Sequence, residues 1–408
     1  MGEILFLGHR IPFPPDRGDK IRSHHLLNAL VGMAPVHVGT FGETDADMAA
    51  ESELAKVAAS HCLVRRTKPL PLAGLEALGS GKPVSLTAFD SAAMRAWVKR
   101  VLAERPIDTI FVFSGQMGQY VPEGFSGRVV VDLCDVDSAK FEAYGKSGSF
   151  PRSIIDRREG KVLAREEERL AHRADVTLLI SENEAGLFQS RLRDPAGTTI
   201  RAIRNGIDAD LFDPAKVAPH PELFTAQGPQ IVFTGQMDYQ PNVVAAERAI
   251  HTILPGIREH HPDAMFHIVG RAPVQRLLDQ NGKGNVRVWG EVPDVKPFLA
   301  AADIVIAPLT IARGIQNKVL EAMAMARPVL LSPEAATGID AADGRHFAVA
   351  DGDQMMVGRA LTLLEERDKA AAMGRAARDY VLAHQSWSAM LAPLADIVSP
   401  KGAARDAA

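Results

Sequence analysis

The chain has 408 residues, which is long for one hydrophobic core and suits two domains. Its formal net charge of −4 and pI near 6.4 argue against a strongly basic surface, so we expect no nucleic-acid partner. Cys62 and Cys134 lie outside any CxxC spacing, and the apolar runs fall short of the ~18 residues of a membrane span. We therefore predict a cytoplasmic protein.

Short apolar runs rich in β-branched residues alternate with longer amphipathic stretches along the whole chain. In the first half the predicted strands are 3–8, 36–41, 62–66, 109–114, 128–133, 176–181 and 199–203. In the second half they are 230–235, 265–270, 286–290, 303–308 and 328–332. This alternation predicts two doubly wound α/β domains, each built on a parallel sheet.

Residues 204–230 are rich in Gly, Pro and Asp and lack periodicity, so we predict an interdomain hinge there. We place the domains at residues 1–204 and 205–385. A short apolar segment at 386–400 follows, and we expect it to return to the N-terminal domain.

The stretch 9–30 begins where the first predicted strand ends at Gly8. Gly18 precedes an amphipathic helix predicted to start near Lys20, so backbone N–H groups and nearby cations can approach a phosphate. The stretch contains neither GxGxxG nor a Walker A motif, and a turn with solvated charges remains an equal alternative.

Three carboxylates, at Asp132, Asp135 and Asp137, lie at or just after the end of the strand predicted at 128–133. Open α/β sheets bind ligands at such strand ends, and Asp135 is a candidate contact. An Asp-x-Asp pair can also hold a divalent cation, but the same triplet occurs twice elsewhere, at 45–47 and 208–210. We favour a protein without a metal site.

Residues 152–175 form a predicted helix that carries charges of both signs. This pattern favours a solvated helix face with i,i+4 ion pairs. Contact of its basic residues with an anionic membrane stays open as an alternative.

The stretch ARGIQNKVLEAMAMARPV, residues 312–329, predicts a loop and then a helix over about 316–325. Lys318 and Glu321 are three residues apart and so lie close together on one helix face. A cation at a helix start can hold a diphosphate, and a carboxylate one turn further can hold ribose hydroxyls. The alternative from spacing alone is a surface ion pair.

Four segments, 233–250, 266–271, 289–309 and 314–329, are similar in order and spacing to the nucleotide-sugar domain of retaining family-4 glycosyltransferases with the GT-B fold. The RNGID motif at 204–208 resembles their interdomain motif. Residues 9–25 and 180–184 resemble the subgroup of sugar transferases associated with exosortase (PEP-CTERM) and exopolysaccharide loci.

This resemblance implies two Rossmann-like domains facing a central cleft, with residues 1–204 on the acceptor side and 205–385 binding the donor. It implies a metal-independent transfer, with retention, from a nucleotide-diphosphate sugar to a glycan or lipid-linked acceptor, with no other cofactor. A peripheral contact with the cytoplasmic face of the inner membrane stays open. The implied donor-binding residues are Gly18, Lys20, Gly235, Arg271, Gly290, Val292, Gly314, Ile315 and Glu321, and the residues implied near the chemistry are Asp135, Arg313 and Lys318.

The sequence departs from the family pattern at three positions. Arg313 stands where a sugar-binding glutamate is usual, and Gln236 and Asn242 replace an arginine and a lysine. We hypothesise that Arg313, Lys318 or Arg271 supplies the missing positive charge. Two alternatives to a transferase remain: a GT-B sugar-nucleotide epimerase, and an inactive nucleotide-sugar-binding protein.

Overall fold

The computed structural model describes residues 2–147, 150–312 and 314–399. The chain divides into two compact units between Asn205 and Gly206, and residues from Met390 onward group with the first unit. Each unit has its own hydrophobic core.

The first unit is built on a seven-stranded sheet whose neighbouring strands pair in parallel, in the order β3-β2-β1-β4-β5-β6-β7. Its strands are β1 (Glu3–Gly8), β2 (Val36–Gly42), β3 (Ser60–Arg65), β4 (Ile107–Phe113), β5 (Arg128–Cys134), β6 (Val176–Leu179) and β7 (Ile200–Ala202). Its helices are α1 (Gly18–Val31), α2 (Asp45–Ala49), α3 (Glu51–Val57), α4 (Leu70–Ser80), α5 (Val84–Ala88), α6 (Ala92–Glu104), α7 (Asp137–Ser147), α8 (Arg152–Arg173) and α9 (Glu182–Arg191), with a 3₁₀ helix at Gly115–Tyr120.

The second unit has a six-stranded parallel sheet in the order β10-β9-β8-β11-β12-β13. Its strands are β8 (Gln230–Thr234), β9 (Met265–Val269), β10 (Val286–Gly290), β11 (Ile304–Ala307), β12 (Val329–Leu331) and β13 (Ala348–Val349). Its helices are α10 (Pro221–Phe224), α11 (Gln240–Arg248), α12 (Leu254–Arg258), α13 (Gln275–Leu278), α14 (Lys296–Ala301), α15 (Asn317–Ala324), α16 (Pro333–Ala336), α17 (Asp353–Glu365) and α18 (Arg367–His384), with a π-helical turn at Ala249–Ile253.

The C-terminal segment contains α19 (Trp387–Leu391) and α20 (Leu394–Val398). Helix α20 buries Leu394, Ile397 and Val398 in the first unit. Thr109 Oγ1 donates to the Val398 carbonyl at 3.1 Å, and Arg128 Nε donates to the Ile397 carbonyl at 2.6 Å. These bonds fasten the segment to the starts of β4 and β5, because Thr109 and Arg128 lie in the first half of those strands.

The prediction of two parallel-sheet Rossmann-like domains is confirmed, and each of the predicted strands overlaps an observed one. Strand β13 was not predicted, because a pair of residues carries no readable periodicity. None of the helices in the described part of the chain combines the length and the apolar composition that crossing a bilayer requires.

Candidate nucleotide-sugar site in the second unit

The carboxyl ends of β8, β9 and β10 bring two backbone segments into very close approach. Gly235 and Gly270 have φ angles of +153° and +151°, and a Cβ on Gly270 would lie 1.6 Å from the Gly235 carbonyl oxygen. The Gly235 N–H donates to Val269 O at 3.1 Å, and the Gly270 N–H donates to Gly290 O at 2.8 Å. Only glycine fits at Gly270, so this edge of the sheet presents bare backbone.

This edge is also where the strand order reverses. Strands β9 and β10 lie on one side of β8, whereas β11, β12 and β13 lie on the other. In open α/β sheets, ligands bind outside the carboxyl ends of the strands at such a switch point. The loops that follow β8 and β11 flank this point, and they contain Gly235 and Gly314.

Lys318 lies in the first turn of α15 and reaches the Gly235 loop. Its ammonium is hydrogen-bonded to Asn242 Oδ1, lies 3.1 Å from the position of a Cβ on Gly235, and sits 4.9 Å from the centre of the Phe233 ring. Burial lowers the pKa of Lys318 to about 8, and the charge of Glu321 limits the drop. A half-buried cation beside bare backbone is suited to an anionic ligand.

Glu321 is one turn further along α15 and is half-buried. Burial raises the pKa of Glu321 above its ordinary value, and the positive charge of Lys318 opposes this effect. Lys318 takes Asn242 as its hydrogen-bond partner, so the alternative of a simple surface ion pair between Lys318 and Glu321 is not what the structure shows. The helix start carries no side-chain cap, which leaves the first backbone N–H groups for a ligand.

The two residues that replace the family's cations each hold a cation from elsewhere. Gln236 Oε1 accepts a hydrogen bond from Arg271 Nη2 at 2.9 Å, and Asn242 Oδ1 accepts from Lys318. Asn242 is also fixed, because its Nδ2 donates to the Gln236 carbonyl at 2.8 Å. This geometry supports the hypothesis that Lys318 and Arg271 supply the positive charge. Arg313, the third candidate, lies outside the described residues.

The other predicted donor residues lie on the neighbouring turns. Gly290 ends β10 with a φ of +69°, and Val292 packs against the hydrophobic core just after it. Gly314 precedes α15, where its carbonyl accepts from Gln316 Nε2 at 3.1 Å. Ile315 packs against Gly338, since a Cβ there would lie 3.1 Å from Ile315 Cγ1. The contacts of these residues with a nucleotide remain predictions.

A series of hydrogen-bonded polar side chains behind the Gly290 turn was not predicted from the sequence. Trp289 Nε1 donates to His267 Nδ1 at 3.1 Å, and His267 Nε2 bonds to Gln230 Oε1 at 2.8 Å. Burial lowers the pKa of His267 to about 4, so the imidazole is neutral at pH 7 and serves both partners. These two hydrogen bonds hold the Trp289 side chain in place, and with it the start of the Gly290 turn.

In the first unit, Gly18 and Lys20 were predicted to contact the donor phosphate, but the structure gives Lys20 another partner. Helix α1 starts at Gly18, two residues earlier than expected, and a Cβ on Gly18 would meet no atom within 4 Å. The Lys20 ammonium is instead buried against Asp47 Oδ1 at 2.6 Å, with the Phe13 carbonyl at 3.4 Å. The structure therefore argues against Lys20 as a phosphate ligand, because its charge is already neutralised internally.

The carboxylates at the end of β5 and just after it have two different roles. Asp132 is fully buried and pairs with Arg22, whose Nη2 lies 2.8 Å from Asp132 Oδ2 and whose Nη1 donates to Asn205 Oδ1 at 2.8 Å. Asp135 and Asp137 share the ammonium of Lys140, at 2.8 and 3.2 Å. Asp132 therefore has a structural role, because it positions Arg22 beside Asn205, where the chain leaves the first unit. A contact of Asp135 with the donor or the acceptor remains a prediction.

Within residues 2–147, 150–312 and 314–399, no three His, Cys, Asp or Glu side chains come together as a metal-binding group. Lys140 occupies the position between Asp135 and Asp137 that a cation would take in the metal-dependent alternative.

A second polar cluster, at the end of β1, was not predicted. His9 Nε2 lies 3.3 Å from Asp19 Oδ2, and Arg10 Nη1 donates to the same oxygen at 2.7 Å. Burial lowers the pKa of His9, while hydrogen bonding to Asp19 raises it. Among the described residues, His9 Nδ1 has no hydrogen-bond partner. The sequence signal was a histidine directly after a strand-ending glycine, at the switch point of the first sheet.

Two parallel-sheet Rossmann-like domains are the architecture of the GT-B class of glycosyltransferases, and solved structures agree. The chain matches sucrose-phosphate synthase from Thermosynechococcus elongatus with a TM-score of 0.58 at 17% identity, covering 97% of this chain and 98% of that one. It matches the Anabaena protein HepE in complex with UDP and glucose with a TM-score of 0.57 at 15% identity, covering 97% and 99%. The fold is therefore GT-B.

Residues 228–366, which lie in the second unit, match the family model described as glycosyl transferases group 1. The chain is also similar to a GDP-mannose-dependent alpha-(1-6)-phosphatidylinositol monomannoside mannosyltransferase of Mycobacterium tuberculosis, with 26% identity over 262 residues. The match covers 58% of this chain and 65% of that relative's length.

Proposed function

We propose that the protein is a glycosyltransferase that takes its sugar from a nucleotide-diphosphate sugar bound in the second unit. The observation that carries this proposal is the Lys318 ammonium, held between Asn242 and the bare backbone of Gly235, with Glu321 one turn further. In the proposed site Lys318 and the start of α15 contact the diphosphate, Arg271 adds charge at the rim, and Glu321 accepts from the ribose hydroxyls. The turn at Gly290 and Val292 contacts the base.

The arrangement stabilises a leaving diphosphate without any change in the protein. The charge of Lys318 and the backbone N–H groups are fixed before the sugar departs, so negative charge that develops on the leaving oxygen meets donors already in place. The proposal includes retention at the anomeric carbon, no metal ion, a glycan or lipid-linked acceptor on the side of the first unit, and a role in exopolysaccharide synthesis. The mycobacterial relative, whose name includes a phosphatidylinositol monomannoside, supports a lipid-linked acceptor.

Donor hydrolysis measured over UDP-, GDP-, dTDP- and ADP-sugars, with and without EDTA, tests the proposal. We expect release of one nucleoside diphosphate, unaffected by EDTA, and loss of donor affinity in Lys318→Ala. Lys369→Ala is the matched control, because Lys369 is exposed on α18 and pairs only locally with Glu366.

The alternatives give different outcomes in the same screen. Interconversion of sugar nucleotides without release of the diphosphate would identify an epimerase. Tight donor binding with no product, with or without acceptor extracts, would identify an inactive binding protein. Activity that disappears both with EDTA and in Asp137→Ala would contradict metal independence.

A further inference from the structure

Helix α4 in the first unit presents an apolar side to solvent. Ala73 and Ala77 on its inner side are fully buried. The outward leucines, between 48% and 68% exposed, are Leu70, Leu72, Leu75 and Leu78. The last three are three residues apart and so follow one face of the helix. A single exposed leucine needs no explanation, but four on a helix of 11 residues mark a surface that is covered by something.

A second apolar group lies where α7 and α8 meet. Its members, between 55% and 81% exposed, are Tyr144, Phe150, Ile154 and Ile155. Ile154 and Ile155 belong to the first turn of α8, and Phe150 is in the connection before it. The group therefore projects from one end of the helix pair.

The two groups lie on helices of the first unit that are joined by hydrogen bonds. Arg158, one turn after Ile154, donates to the carbonyls of Ala77 at 2.6 Å and Lys82 at 3.2 Å. Glu159 accepts from the N–H of Val84 at 2.7 Å. The end of α4 is thus fastened to the start of α8. We call the eight exposed side chains together the apolar face.

Basic residues flank both parts of the apolar face in the sequence. Residues 65–83 contain four basic residues and one acidic residue, and so do residues 144–158, although the whole chain has a net charge of −4. Four of these basic residues are paired with carboxylates: Arg65 with Asp45 at 2.6 Å, Arg66 with Glu43 at 2.8 Å, Lys68 with Glu76 at 2.7 Å and Arg158 with Glu159 at 3.4 Å. The exposed positive charges that remain beside the apolar face are Lys82, Lys146 and Arg152. The Arg152 side chain is 85% exposed, and its Nε lies 3.9 Å from the buried carboxylate of Asp156.

Exposed apolar side chains next to exposed basic residues favour one kind of partner for this surface. A second copy of the chain would bring the same positive charges against each other, which disfavours self-association. An anionic bilayer offers both an apolar layer and negative headgroups, and an apolar helix face with a basic rim is the pattern of interfacial helices.

We propose that the apolar face docks the protein on the surface of an anionic phospholipid bilayer, with the leucines and isoleucines at the headgroup boundary and Lys82 and Arg152 at the phosphates. The proposal goes beyond the proposed transfer reaction and does not depend on it. It shares only the first turn of α8 with the sequence-based alternative of the basic residues along that helix, and further along the helix Arg169 is paired with Glu166 at 2.6 Å.

Co-sedimentation of the full chain with vesicles tests the proposal. We expect binding to phosphatidylcholine vesicles that contain about one third phosphatidylglycerol, little binding to phosphatidylcholine alone, and weakening with added salt. The double variants Leu75→Gln/Leu78→Gln and Ile154→Gln/Ile155→Gln should each weaken partition by about ten-fold or more. Lys82→Glu should weaken it on anionic vesicles.

The matched control is Leu211→Gln/Leu382→Gln, since these two leucines of the second unit are 51% and 43% exposed. It should bind vesicles as the wild type does. Because the substituted side chains are exposed and glutamine is a good helix former, every variant should melt with the wild type.

Three outcomes would overturn the proposal. The first is a wild type that does not sediment with anionic vesicles. The second is binding that neither face variant weakens relative to the control. The third is a wild-type dimer in gel filtration that the face variants dissociate, which would assign the surface to a second copy. None of these results bears on donor hydrolysis, so a failure here is distinct from a failure of the proposed transfer activity.

Discussion

Replacing Lys318 by methionine should remove donor binding while stabilising the free protein at about pH 7. Burial lowers the pKa of Lys318 from its ordinary value of 10.5 to about 8. A difference of that size means that protonated Lys318 destabilises the folded protein by about 3 kcal/mol. Methionine has similar length and no charge, but it leaves Asn242 Oδ1 without its donor, which costs about 1 kcal/mol. The free energy of unfolding should therefore rise by about 1 to 2 kcal/mol.

The pH dependence of this difference has a definite sign. Unfolded Lys318 keeps its proton up to its ordinary pKa of 10.5, whereas in the fold it loses the proton near about pH 8. Between these values the unfolded state binds more protons, so the stability of the wild type rises with pH across that window. The advantage of Lys318→Met should be full below about pH 8 and should fade as the pH approaches 10.5.

Urea unfolding at about pH 7 and about pH 10, together with calorimetric titration of the donor, measures both effects. In the proposed site Lys318 contacts the diphosphate, so donor affinity should fall at least about thirty-fold when this partly buried charge is lost. The control Lys369→Met removes an exposed lysine and should change stability by less than about 0.5 kcal/mol. A variant destabilised by more than about 2 kcal/mol, or one with unchanged donor affinity, would refute the reasoning.

Three further predictions concern single sites. Glu321→Gln removes the negative charge that raises the pKa of Lys318, so the pH at which donor affinity falls, measured by calorimetry, should move below about 8; an unchanged pH profile would contradict this. Gly270→Ala places a Cβ 1.6 Å from a backbone oxygen, so in urea unfolding it should lower the free energy of unfolding by more than about 3 kcal/mol. The control is Gly358→Ala, in open space on α17. In the same titration its free energy of unfolding should be equal to that of the wild type or higher by about 0.5 kcal/mol. Asp132→Ala leaves the buried Arg22 without its carboxylate partner and should lower the free energy of unfolding, measured by thermal unfolding, by about 3 to 5 kcal/mol. A decrease of less than about 1 kcal/mol would show that this ion pair does not stabilise the first unit.

Local sequence determined the strands, the glycines that end them and one face of α15. The predicted strand at 286–290 coincides with β10, and the helix predicted at about 316–325 is α15, Asn317–Ala324. These features depend on period and on chain neighbours, which a sequence displays directly. The spacing of Lys318 and Glu321 on one helix face is of this kind.

Tertiary structure decided which charges are available. Lys20 reads as a free cation at a helix start, but Asp47, 27 residues away, neutralises it. Asn242 reads as a loss of charge, yet it holds Lys318 from a distance of 76 residues, and Gln236 holds Arg271 in the same way. Such pairings depend on the order and register of the strands, which bring the ends of distant segments to one edge of a sheet, and no local pattern encodes that order.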